Sequence, residues 1–164
     1  MEVRPANDDE RREVAALWAE RWGGPRMVTR GRVHEPMALP MLVALDADAR
    51  IAGALTYDVR DGEMEAVTVD AFIARIGAGR TLIEAAAAQA RRMGCRRLWL
   101  ITTNDNTPAL RFYQRCGMTL AALHRDEIAA SRLLKPEIPQ IGLDGIPIRD
   151  ELELELPLSS SESP

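Results

Sequence analysis

Short apolar runs alternate along this chain with stretches of helical spacing, and their order predicts a layered α/β domain. Glu2 to Pro5 can start a sheet, and Asn7 or Asp8 can cap a helix with Val14, Leu17, Trp18 and Arg21 along one side. Gly23-Gly24-Pro25 is placed to stop that helix. Arg26 to Pro40 has no sustained period and reads as a long loop with room for a helical turn. Met41 to Leu45 and Ile51 to Tyr57 are apolar strands joined around Asp46-Ala47-Asp48, and residues 59–62 form a hairpin turn into a strand from Glu63 to Asp70.

The alanine-rich stretch from Arg80 to Met93 predicts a helix that Gly94 ends, with Arg91 and Arg92 complementing its negative dipole end. Leu98 to Thr103 has the continuous apolar character of a buried strand. Asn106 caps the next helix, where Pro108 sits harmlessly in the first turn. A strand from Met118 to His124 and a short helix from Asp126 to Leu134 follow, the latter ended by Pro136. Pro136 to Arg149, with its prolines and glycines, is a shaped connection longer than usual, expected to fold over an acceptor side or to build a dimer contact. Glu151 to Leu156 alternates strictly, as a strand with one wet face does. The result is one domain over residues 1–158 with a mixed sheet of about six or seven strands. A Ser/Glu/Pro tail over 159–164 is expected to be disordered.

Composition narrows the function classes. A length of 164 residues suits one domain with a proper core. The net charge of −4 argues against a general nucleic-acid or membrane-surface binder. Cys95 and Cys116 fit neither a disulfide framework nor a metal pattern, and His34 and His124 lie far apart, so no metal site is expected. No apolar run approaches the length of a membrane span, and the N-terminus is acidic rather than signal-like, so a cytoplasmic setting is expected.

The chemistry lies between Glu63 and Gly117. Gly77-Ala78-Gly79 separates a strand from a helix, and such a helix N-terminus favours an anion. A dinucleotide fingerprint fails because Leu82 holds the third glycine position, and a Walker-type loop fails because no Gly-Lys-Ser/Thr follows. A different kind of phosphate cradle remains. Ala74-Arg75-Ile76-Gly77-Ala78-Gly79 resembles the Gln/Arg-x-x-Gly-x-Gly/Ala loop of the GCN5-related N-acetyltransferase (GNAT) family. Asn106, Ala109, Phe112, Tyr113, Gly117 and Met118 match that family's following motif at its spacing. Ala74 departs from the usual Gln or Arg, and Arg75 and Arg80 can supply the missing charge.

The resemblance implies a single GNAT-like α/β domain whose central parallel strands splay where the cofactor enters, flanked by about four helices. It implies acetyl-CoA as cosubstrate. Arg75 to Arg80 (Arg75, Ile76, Gly77, Ala78, Gly79, Arg80) would hold its pyrophosphate, Val67 and Val69 its pantetheine arm, and Asn106 its middle. Tyr113 would protonate the leaving sulfur; a packing role beside Ala109 and Cys116 is the alternative. Glu65 is the expected base. By strand period it shares a face with Glu63, Val67 and Val69, and an apolar strand would raise its pKa; a solvated edge or an arginine salt bridge is the alternative.

Arg30, Arg32 and His34 lie in the loop that borders the acceptor pocket in that family. The two arginines would suit an acceptor carboxylate or phosphate, and an exposed basic loop explains them as well. The expected activity is acetyl transfer to a primary amine of a small molecule by direct attack in a ternary complex. A protein or peptide acceptor, or a non-catalytic acyl-CoA sensor, are the alternatives. A homodimer is compatible with the sequence.

Overall fold

The computed structural model describes residues 1–22 and 26–158. The expected helix stop at Gly23-Gly24-Pro25 and the expected disordered tail lie outside them. In chain order the described elements are β1 (Glu2–Pro5), α1 (Asp8–Trp22), β2 (Met27–Thr29), β3 (Arg32–His34), β4 (Met41–Leu45), β5 (Ile51–Arg60), β6 (Glu63–Ala71), α2 (Ala78–Arg92), β7 (Arg97–Thr103), α3 (Thr107–Arg115), β8 (Thr119–His124), α4 (Glu127–Leu134) and β9 (Glu151–Pro157). Among the described residues, a seven-stranded mixed sheet runs β1-β4-β5-β6-β7-β9-β8.

Local chemistry explains the elements. Asn7 opens α1 with a reciprocal cap: its Oδ1 accepts the Glu10 N–H at 2.9 Å while Glu10 Oε2 accepts the Asn7 N–H at 2.9 Å. Val14 and Trp18 of α1 are buried against Met41, Val43, Leu45, Ile51 and Ala54 on one face of the sheet. On the other face Leu82, Ile83, Ala86, Ala87 and Ala90 of α2 pack on Leu55, Met64, Leu98 and Leu100. Alanine suits that helix twice over, as a strong helix former and as a side chain small enough to let helix and sheet approach closely.

Three expectations need correction. Arg26 to Pro40 is not a loop. Its short strands β2 and β3 form a separate hairpin, turned by Arg30 (φ 52°) and Gly31 (φ 70°), and a 3-10 turn covers Pro36–Ala38. Three-residue strands are too short to show a period, and arginine is an unusual choice for a left-handed turn. Secondly, the alternating Glu151 to Leu156 strand has no wet glutamate face. As β9 it lies inside the sheet between β7 and β8, and Glu151 is 1% exposed.

The third correction concerns β6. Thr56 pairs with Thr68 and Tyr57 with Ala66, so Val67 is an extra residue, a β-bulge that resets the strand's alternation. Glu65 therefore shares its face with Thr68, while Val69, opposite Leu55, lies on the α2 side. Thr68 Oγ1 pins the bulge, accepting the Thr56 N–H at 3.0 Å and lying 2.7 Å from the Thr56 hydroxyl. Both threonines are buried. Thr68→Val should cost about 1–3 kcal/mol, because it strands a buried donor; urea denaturation of the two proteins measures it.

Candidate active site

β6 and β7 run parallel, yet among the described residues their ladder holds two pairs, Met64 with Leu98 and Glu65 with Trp99. Beyond Glu65 the strands part. β6 continues to Ala71 paired to β5, and β7 continues to Thr103 paired to β9. The two facing edges are left with backbone donors and acceptors that no neighbouring strand takes up. An extended ligand can pair with such an edge as an added strand does.

This opening leads into a groove of about 860 Å3 bounded by Val69 and Asp70 of β6, Gly77 to Arg80 at the start of α2, and Pro108 to Tyr113 of α3. Gly77 stands at the cap of α2 with φ 85°, a conformation that favours glycine. At Gly79 a Cβ would lie 2.8 Å from Cζ of Phe112, so only glycine lets α3 come so close. The first-turn N–H groups of α2 have no intrahelical partner and carry the positive end of its dipole. Arg75, Arg80, Arg111 and Arg115 stand around the same groove. The mouth is therefore strongly basic on a protein that is acidic overall.

The expected residues fall into three groups. Val69, Arg75, Gly77, Ala78, Gly79, Arg80 and Tyr113 all line the groove. Ile76 is exposed at its rim, and Val67 is buried at the bulge. Asn106 caps α3, its Oδ1 accepting the Ala109 N–H at 3.2 Å, and the groove wall continues from Pro108. Arg111 and Arg115 were missed from sequence; their four-residue spacing, which places them on one side of α3, was the available signal.

Tyr113 is half-buried, and its ring meets Phe112 edge to face with centroids 5.2 Å apart. Burial raises its phenol pKa well above the ordinary value, with Cys116 and Asp70 adding to the rise, so it keeps its proton at neutral pH. Burial likewise raises the Cys116 thiol, which makes it a poor nucleophile.

Glu65 lies at the point where the strands part and is 5% exposed. It lines a smaller pocket of about 190 Å3 with Arg32, Asp58 and Trp99. Burial raises its pKa to about 7 against the restraint of the Thr29 hydroxyl, which donates to Oε1 at 2.6 Å. Glu65 is not at a wet edge, and among the described residues it forms no ion pair with an arginine. The β2–β3 hairpin covers it. His34 is buried with Nε2 2.8 Å from Thr29 Oγ1 and 3.5 Å from Glu65 Oε2. Arg32 is ion-paired with Asp58 at 2.8 Å, and Arg30 faces Glu127 at 3.6 Å. Glu151 anchors the hairpin tip, accepting the Arg30 N–H at 3.0 and 3.3 Å.

The long segment after α4 docks on the loop that follows β7. Asn104 accepts the N–H groups of Arg149 and Asp150 and donates to the Pro147 carbonyl, and Asp105 accepts the Leu143 N–H at 3.0 Å.

A family model described as the acetyltransferase (GNAT) family matches residues 8–118. The chain is 33% identical over 152 residues to YdhI, an uncharacterized protein of Bacillus subtilis, covering 93% of this chain and 95% of that one. It is 36% identical over 85 residues to a streptothricin acetyltransferase of Streptomyces lavendulae, covering 49% of this chain and 45% of that one. Its fold matches a crystal structure of a Bacillus subtilis acetyltransferase in complex with CoA, with a TM-score of 0.68, 20% identity, and 96% and 98% of the two chains covered. This chain is a member of the GNAT acetyltransferase family.

Glu65 also makes stability depend on pH. Its folded pKa of about 7 lies above the ordinary 4.5, so its stabilising contribution is fully present below pH 4.5 and is lost as pH rises through 7. Glu65→Gln should remove that loss and exceed the wild type above pH 7 by up to about 3 kcal/mol, with little difference at pH 4. Urea midpoints across this range check it.

Proposed function

We propose that this acetyltransferase moves an acetyl group from acetyl-CoA to the primary amine of a small molecule by direct attack in a ternary complex. The observation that carries this reading is the parting of β6 and β7, with a basic, glycine-floored groove on one side and a buried glutamate on the other. The first-turn amides of α2 and the arginines around them suit the cosubstrate's phosphates. The free edge of β6 from Val67 to Val69 suits the amide-bearing pantetheine arm, and amides there also suit the developing oxyanion. Asn106 is assigned to the middle of the arm on its place in the motif.

Each remaining step falls to one residue. Glu65, with a pKa near neutrality, takes the proton that the attacking amine must shed. Tyr113, still protonated at neutral pH, gives its proton to the departing thiolate. The narrow pocket beside Glu65 favours a small acceptor, and Arg32 within it can orient an anionic group. Likeness to a streptothricin acetyltransferase over part of the chain points the same way.

Calorimetric titration with acetyl-CoA, followed by thiol release over a panel of small amines and peptides, tests the reading. Micromolar binding with turnover of small amines is expected; failure to bind acetyl-CoA would sink it, and turnover confined to peptides would move the acceptor class. Gly79→Val should weaken acetyl-CoA binding more than tenfold, because the added branches push Phe112 toward the groove. Wild-type affinity in that variant would remove the loop from the site. Tyr113→Phe should lower kcat at least tenfold with little change in KM for acetyl-CoA. Unaltered kcat would return Tyr113 to a packing role.

A further inference from the structure

Three side chains meet under the β2–β3 hairpin, each buried to a few per cent: Thr29 at 6%, His34 at 3% and Glu65 at 5% exposure. We infer that Thr29 and His34 are positioning residues, a hydrogen-bond chain that orients the Glu65 carboxylate and directs the substrate proton to its Oε2 atom. The inference rests on the reading of Glu65 as base and goes beyond it.

Proton counting carries the argument. A hydroxyl has one proton to donate. Thr29 gives its proton to Glu65 Oε1 at 2.6 Å, so toward His34 Nε2, 2.8 Å away, its oxygen can only accept. His34 therefore carries its proton on Nε2. Burial depresses the His34 pKa, with Arg32 adding to the effect, so the ring is neutral at physiological pH. The chain runs one way: His34 Nε2–H to Thr29 Oγ1, then Thr29 O–H to Glu65 Oε1. A proton arriving on Oε1 would face a Thr29 hydroxyl already pointing at it. Reversal would leave the threonine proton without an acceptor, because His34 Nε2 already carries a proton of its own. Oε2 is the oxygen that remains: His34 Nε2 lies 3.5 Å from it but is engaged with Thr29 at 2.8 Å, and Glu65 lines the pocket beside Trp99.

Other charges face the same carboxyl. Asp58 of β5 lies directly opposite in register, Arg32 reaches in from β3, and Glu151 acts from β9. The two carboxylates favour a protonated Glu65, whereas Arg32 and the Thr29 hydroxyl favour the ionised form. The Thr29 hydroxyl is the strongest opponent of burial among these influences, so its removal should be felt most.

The test is NMR on the intact protein, and it needs no acceptor. With 13C-labelled glutamate carboxyls, the Glu65 resonance, assigned by its loss in Glu65→Gln, is followed against pH. Thr29→Val should raise its midpoint by about one pH unit. Thr29→Ser should leave it in place. His34→Leu should raise it by less, and His34→Gln, whose amide N–H can stand in for Nε2–H, should restore it. Unmoved midpoints in Thr29→Val and His34→Leu overturn the chain. A second reading uses the wild type alone: 15N spectra must show His34 as the neutral Nε2–H form, and the Nδ1–H form overturns the inference even where a variant fails to fold. Full thiol release by Glu65→Gln would remove the base from the proposed function whatever the midpoints show. Unmoved midpoints overturn the chain even where Glu65→Gln is inactive.

Discussion

Among the described residues β6 and β7 stop pairing at Glu65, and on that constraint the rest of the molecule depends. A parallel pair in the middle of a sheet ordinarily continues for the length of its strands, because each unpaired amide group is costly to bury. Here the bulge at Val67, locked by the Thr56–Thr68 contact, bends β6 away from β7. The edges so exposed cannot be buried without a partner, and a ligand rich in amides is one such partner. The same bend sets Glu65 at the head of the opening, since the last paired residues are Glu65 and Trp99.

The sheet then divides the labour between its faces. On the α2 side lie the apolar core, the glycine turn and Tyr113, where close approach and dipole matter. On the α1 side lie Glu65, Asp70 and Glu151, each held by a polar partner from a covering element, and Thr68, held by Thr56 of the neighbouring strand. Arg21 of α1 binds Asp70 at 2.6 Å, and Ser131 of α4 reaches Glu151 at 3.4 Å. Buried carboxylates raise their own pKa unless partners restrain them. Thr29 supplies such restraint for Glu65, and the Arg30 amide for Glu151.

Most of the sheet and the four described helices were legible because each carries a local signal: apolar runs, caps at Asn7 and Asn106, the Asp61-Gly62 turn, and the glycine after α2. The groove was legible through Gly77, Gly79 and Tyr113 for the same reason. What was hidden depends on contacts distant in sequence. The hairpin holding Thr29 and His34 has strands too short to show a period, and its arginine turn is held by Glu151, far along the chain. The bulge leaves an intact apolar pattern, so counting by twos placed Val69 on the wrong face. Glutamates in β9 looked wet because alternation cannot tell which covering element lies above a strand. Asn104 clamps the segment that ends at Asp150, a contact between residues more than forty positions apart.

The hairpin that covers Glu65 forms a two-stranded sheet of its own. Among the described residues, its polar ties to the strands below run through the side chains of Glu65, Asp58 and Glu151. A cover fastened in this way is a removable part of the architecture. Its outline can be recast by changes at those few attachment points while the ladders beneath keep their register. In the function proposed above, the half that holds the donor and the half that chooses the acceptor are thereby mechanically separable.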